Sequence, residues 1–214
     1  MGFILTLVHR IKRVMLEAGG EIDWSRIDPL RLNHVLWLDV PAPDTEVRVA
    51  YTDEALHARF RVDEASPTVR HLGVQVPVYK DSCVEWFLQP LPEGDGRYVN
   101  FEWNAAGSLK LAIGTVWHDR TDVPGVSAEL FRLRAATDLQ DERGTFWTLQ
   151  FTIPFAWLQS LYPGFRPAPG CRMRGNFFKC GDETPMPHYR SWNKVTSATP
   201  DFHRSVDFGE LVLE

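Results

Sequence analysis

The 214 residues are enough for one domain with a full core and few for two. The chain is 44% hydrophobic and 24% charged with a net charge of -5, an ordinary globular balance in which acids and bases are interspersed. No basic stripe runs along it to track a phosphate backbone, so nucleic acid is excluded as a partner class. The unusual entry is ring content: 8 Trp, 13 Phe and 5 Tyr. Burial preference sends most of these to a core and leaves some for a stacking surface.

The chain opens with MGFILTLVHRIKRVML. Its apolar run, Phe3 to Val8, stops at His9 and Arg10, and the charges follow the run instead of preceding it. A secretory signal is therefore not expected, and cytoplasmic is the default location. A start lying further upstream would leave an extracellular or periplasmic location open. No stretch has the length of a membrane span. Residues 1–20 read as a lead-in ending at Gly19-Gly20, open to a first strand, a short helix or an extension, and residues 21–214 as a single domain. Glu46 to Glu64 is a hairpin: Val47, Val49 and Tyr51 alternate with polar or small residues, TDE turns, and Leu56, Ala58, Phe60 and Val62 resume the alternation. His57, Arg59 and Arg61 share its other face, which is expected to be wet.

A second hairpin is made of SCVEWFLQP and RYVNFEWNAAG around the turn residues LPEGDG. Leu109, Leu111 and Ile113 mark a short strand, and ELFRLRAATDL is a further candidate. TFWTLQFTIP alternates Trp147, Leu149, Phe151 and Ile153 against Thr148, Gln150 and Thr152. FAWLQSLYP is a short helix stopped by Pro163. RMRGNFFKC and FGELVLE supply the last strands. About eight to eleven short strands with one short helix predict an all-β fold, an antiparallel β-sandwich. The three cysteines, Cys83, Cys171 and Cys180, form no CxxC pair and no disulfide framework, although a single Cys171–Cys180 bridge is open to an exported protein.

The second hairpin carries the chemistry. Alternation turns Val84, Trp86, Leu88, Val99, Phe101 and Trp103 to one face. The other receives Cys83, Glu85, Phe87 and Gln89 beside Tyr98, Asn100, Glu102 and Asn104. If Gln89 pairs with Tyr98, Phe87 opposes Asn100 and Glu85 opposes Glu102, with Cβ atoms about 5 Å apart. Like charges so placed are unfavourable without a partner. Carboxylates, amides and rings on one face suit a sugar, whose hydroxyls need bidentate acceptors and donors and whose C–H face needs a ring. A solvated outer face is one alternative. A glycoside hydrolase using Glu85 and Glu102 as its carboxylate pair is another.

Five blocks, YTDEALHARFRVDE, KDSCVEWFLQP, YVNFEWNAAG, RGNFFKCGDETPMPHYRSWNKV and PDFHRSVDFGELVLE, together resemble a carbohydrate-binding module of family 9 in its stand-alone form. The resemblance runs from about Glu21 to Glu214. It implies a DOMON-like β-sandwich that binds sugars without acting on them, as at the end of a glucan or xylan oligosaccharide clamped between two aromatic rings. It also implies room for structural calcium, for which the loop acids Asp81, Asp95, Asp182 and Glu183 are available, and requires no other cofactor. DOMON-like sandwiches also host haem or protein partners, a further alternative. Asp81, Ser82, Val84 and Glu85 match a family block, which makes Glu85 the implied acceptor of sugar hydroxyls. The ring before that block is Tyr79 where the family has Trp, and the ring before the final FG is Phe202, with His203 and Arg204 beside it. The family's sugar-binding arginine falls near Asn100, with Arg97 as the substitute. Trp192, in SWN, is either a core ring or a ligand-facing one. Asn176 and Lys179 either reach the ligand or serve the fold. The candidate ligand-binding set is thus Tyr79, Glu85, Arg97, Asn100, Glu102, Trp192 and Phe202.

Overall fold

The computed structural model describes residues 6–17 and 20–214; Phe3 to Leu5 of the apolar run and Gly19 lie outside them. Fourteen strands and one α-helix appear among the described residues, more strands than expected because several have only two or three residues. One layer has the order β14 (Gly209–Leu213), β12 (Arg172–Cys180), β6 (Cys83–Gln89), β7 (Tyr98–Asn104), β8 (Leu109–Gly114) and β9 (Thr121–Asp122). On its flank, β13 (Tyr189–Ser191) pairs with β12 and with β3 (His34–Val35). The other layer has the order β10 (Arg134–Asp141), β11 (Gly144–Pro154), β5 (Ala55–Asp63) and β4 (Asp44–Tyr51), with β2 (Leu30–Arg31) on β4.

The layers are one continuous sheet because β1 (Val8–Arg13) belongs to both. Val8 to Ile11 run parallel to β14, and Lys12 and Arg13 run parallel to β4. The lead-in thus supplies the strand on which the sheet curls, and the sandwich is mixed where an antiparallel one was expected. Only Ile11 of β1 is buried, so no period-2 pattern marks the strand in the sequence.

Elsewhere the alternation sorts the faces as expected. Val47, Val49, Leu56, Ala58, Phe60 and Val62 meet Val84, Trp86, Leu88, Val99, Phe101 and Trp103 in one apolar core, with Trp147, Leu149, Phe151 and Ile153. Each of these large side chains contributes about 1.5–3 kcal/mol by leaving water. Pro154 closes β11 and opens the helix α1 (Phe155–Leu161), which buries Phe155 and Leu158; Pro163 lies just past its end. The face carrying His57, Arg59 and Arg61 is less wet than expected. The His57 ring is 8% exposed and sits between the hydroxyls of Thr52 and Thr152, at 3.3 and 3.1 Å. Arg61 is held by Asp63 and Asp141.

Candidate functional site

The register of the second hairpin is the expected one: Glu85 faces Glu102, and Phe87 faces Asn100. The strand β12 runs along the other side of β6, placing Phe178 beside Glu85 and Cys180 beside Cys83. The outward face is not solvated, since every residue of β6 and β7 is buried. Loops cover it and leave one cleft of about 590 Å³, within the range of small-ligand sites. Glu85, Glu102, Lys110 and Cys180 form its floor; Trp37, Tyr79, Trp117, Tyr189, Phe202 and His203 are among its walls.

The floor is poorly satisfied. Glu85 is 2% exposed and accepts a thiol hydrogen bond from Cys180 at 3.2 Å. The Nδ2 of Asn100 donates to Glu102 Oε1 at 2.7 Å. Arg120 Nη1 lies 3.5 Å from the same oxygen, an ion-pair distance without a well-aimed hydrogen bond. Asn100 Oδ1, Glu102 Oε2 and Arg120 Nη1 are buried and have no hydrogen-bond partner. Buried polar atoms are nearly always paired, so three unpaired ones in one cluster are what a polar ligand would complete. Burial, and then the Glu102 charge, hold Glu85 well above the usual carboxylate range. Burial also raises Glu102, with Arg120 pulling the other way. Losing water disfavours the charged form of each acid, and neighbouring like charges add to the effect. Burial and Arg120 keep His203 neutral, its pKa lowered to about 3. Its Nδ1 meets the Tyr98 hydroxyl at 3.0 Å, and its ring lies 4.8 Å from that of Phe87.

The rings make the walls. Phe202 stacks on Phe178 at 4.0 Å and 11°, and Trp37 lies 5.4 Å from Phe202 and 5.2 Å from Tyr189. Trp37 has a left-handed backbone, φ 56°, and its indole N–H donates to the Ser197 carbonyl at 2.9 Å. Tyr79 and Trp117 stand at the mouth, 39% and 64% exposed.

Of the seven expected site residues, Tyr79, Glu85, Glu102 and Phe202 line the cleft and Asn100 lies under it, bonded to Glu102. Two lie elsewhere. Arg97 is locked to Asp95 at 2.6 Å and donates to the Leu161 carbonyl. Trp192 packs into the core beside Phe177, 5.8 Å away, where a Cβ on Gly209 would run into its ring. Asn176 serves the backbone of Phe177 and Asn193, and Lys179 points inward to Glu64 and His188. Sequence reasoning missed Trp37, Trp117 and Arg120, which also line the cleft. All three sit in loops, where periodicity gives no signal; a Trp in the turn-like GTVWHDR was the one available hint.

The loop acids are engaged in other ways. Asp81 accepts from the Arg70 and His71 backbone, the His71 ring and Asn104, so donors surround its oxygens where a calcium ion needs acceptors. Asp95 is held by Arg97 and Glu183 by Lys80, and Asp182 lines the cleft. Cys171 and Cys180 are free and stand at opposite ends of β12, about 30 Å apart at strand rise, which rules out the bridge considered above.

The sequence profile of carbohydrate-binding family 9 matches residues 19–213. No curated protein sequence matches the chain. A proposed carbohydrate-binding protein of Bacteroides uniformis has a similar structure, with a TM-score of 0.81 and 31% identity over 98% of this chain and 100% of its own. Two structures of a family 9 carbohydrate-binding module of Caldicellulosiruptor kristjanssonii, with glucose and with cellotriose, share the fold. Both have TM-scores of 0.62 and 14% identity over 97% of this chain, covering 96% and 94% of their own. With the profile matched over nearly its whole length and the fold shared, the chain belongs to carbohydrate-binding family 9, and its function is to bind carbohydrate.

Proposed function

We propose that the aromatic-walled cleft over Glu85 and Glu102 binds the end of a β-linked oligosaccharide of the glucan or xylan type and does no chemistry on it. One observation carries this reading: the opposed pair Glu85 and Glu102, with unpaired Asn100 and Arg120 atoms beside it, at the bottom of a cleft walled by Trp37 and Phe202. Two acids, an amide and a guanidinium supply the acceptors and donors that vicinal hydroxyls require. The rings supply a platform for the C–H face. The glucose and cellotriose held by the Caldicellulosiruptor module support a glucose-like ligand. A cleft closed at its floor by the sheet favours a chain end over a chain interior.

Geometry favours binding over hydrolysis. A glycosidase pair must address the anomeric centre from opposite sides, with one acid at the leaving oxygen and the other at the far face of the ring. Glu85 and Glu102 are neighbours on adjacent strands and approach any ligand from the same side. Stacking and a few hydrogen bonds place the affinity on the order of micromolar to millimolar.

The test is calorimetric titration of cello- and xylo-oligosaccharides, with reducing-sugar release followed on the same samples. One site per chain, saturable in that range and without release of product, is expected. No binding at millimolar sugar, or turnover lost in Glu102→Gln, would refute the proposal.

A further inference from the structure

The cleft floor holds two thiols that sugar binding does not use, beside the Glu85 on which the proposed sugar site rests. Cys83 opens β6 and Cys180 ends β12, and the two are register partners in neighbouring antiparallel strands. Both turn to the outward face, as does Glu85 two residues further along β6. Cys180 Sγ is 3.2 Å and Cys83 Sγ 3.9 Å from Glu85 Oε1. All three are buried, and their ligand atoms lie within 4.8 Å of one another, the one such grouping of His, Cys, Asp or Glu among the described residues. The thiols are free.

We infer that Cys83, Cys180 and Glu85 form a site for one thiophilic divalent cation of closed d shell, zinc or cadmium, with its fourth position open to the cleft. A tetrahedral ion bound at about 2.3 Å to sulfur and about 2.0–2.2 Å to oxygen sets its ligand atoms roughly 3.4–3.8 Å apart, close to the spacing found here. Small side-chain rotations complete the shell. Two sulfurs select against calcium and magnesium, which take oxygen. Cys180 and Glu85 line the cleft, so water or a ligand oxygen has access to the remaining position.

The charges and protons balance without any change of oxidation state. Two thiol protons, and that of Glu85 where it is present, pass to solvent as the metal–ligand bonds form. Two thiolates and a carboxylate leave the occupied site with one net negative charge. Lys179 bonds the Cys180 carbonyl at 2.9 Å from the other face of β12, where Glu64 already pairs with it, so the site's net charge faces the cleft. The competing fate of the two thiols is a cross-strand disulfide, which would need an oxidant and would exclude the ion.

The experiment titrates the full-length chain with Co2+ after reduction by a phosphine and removal of the reductant. Cobalt takes the same tetrahedral sites and reports thiolate ligation by a charge-transfer band. Expected are one equivalent bound per chain, the charge-transfer band, its loss on adding one equivalent of Zn2+, and no response to Ca2+. Cys171→Ser keeps the band, Cys180→Ser loses most of it, and Glu85→Gln keeps it with affinity weakened at least tenfold. The wild-type titration depends on no variant folding. No band with stoichiometric Co2+, a band that Zn2+ fails to displace, or a wild-type band in the Cys83→Ser/Cys180→Ser double variant would each overturn the site.

Discussion

The two faces of the hairpin formed by β6 and β7 are equally buried and chemically opposite. The inward face, Val84, Trp86, Leu88, Val99, Phe101 and Trp103, belongs to the large apolar cluster and fills the core. The outward face, with Glu85, Gln89, Asn100 and Glu102, lies under loops and keeps three of its polar atoms without hydrogen-bond partners. Burial alone therefore does not distinguish core from site. The difference lies in what is left unpaired and where: the inward face leaves two indole N–H groups deep in the core, and the outward face leaves an amide and a carboxylate oxygen beside the cleft, where a ligand can complete them. Stability should reside on one side of these strands and recognition on the other.

That division can be tested by substitution. The largest effect belongs to the core side. Trp86→Ala should cost about 3–5 kcal/mol, read as a shifted urea midpoint at unchanged slope. A loss under about 1 kcal/mol would mean that this face is not the core. Trp192→Ala should cost somewhat less, since its ring is 5% exposed, and the surviving folded fraction should bind sugar as the wild type does. A selective loss of sugar binding there would move Trp192 into the site.

Part of the acid response should come from outside the cleft, beside that of His203 in its wall. Burial, and then Arg132, lower the His57 pKa to about 4 from its ordinary value of 6.5. The folded state thus binds this proton less readily than the unfolded chain. His57 weighs against folding only as pH falls from about 6.5 through 4, and the loss should be on the order of 1–3 kcal/mol. A pH series of urea midpoints on wild type and His57→Gln reads this as a flatter acid limb in the variant. Equal slopes would exclude His57 as the cause. The smallest stability effect belongs to the cleft mouth. Trp117 is 64% exposed, so Trp117→Ala should change stability by under about 0.5 kcal/mol while weakening sugar binding several-fold. The reverse pattern would place Trp117 in the fold and not in the site.

Much of this was legible in the chain. Alternation in KDSCVEWFLQP and YVNFEWNAAG assigned both faces, and the register assumed across the turn, Gln89 against Tyr98, is the one that opposes Glu85 and Glu102. Those signals are local, and strands advertise them because side chains alternate. The strand β1 was not legible as the joint of the two layers, because a strand shared between sheets buries only Ile11. Trp37, Trp117 and Arg120 were not legible either. Loops bring them to the cleft, and their positions depend on closure of the whole sheet and on the left-handed turn at Trp37. Arg97 shows the converse: near the expected place in sequence, it is captured by Asp95 two residues away. The scaffold of this site is written in periodicity, and its walls are written in tertiary contacts.

In the proposed site Glu85 serves recognition and not the fold. The most direct test pairs cellotriose calorimetry with urea unfolding on wild type and Glu85→Gln, in the presence of a chelator. Replacing a buried acid that faces Glu102 should leave stability equal or slightly higher, while the lost carboxyl acceptor weakens binding at least tenfold, about 1.4 kcal/mol or more. Unchanged affinity with a stability loss of several kcal/mol would contradict the account and make Glu85 a structural residue.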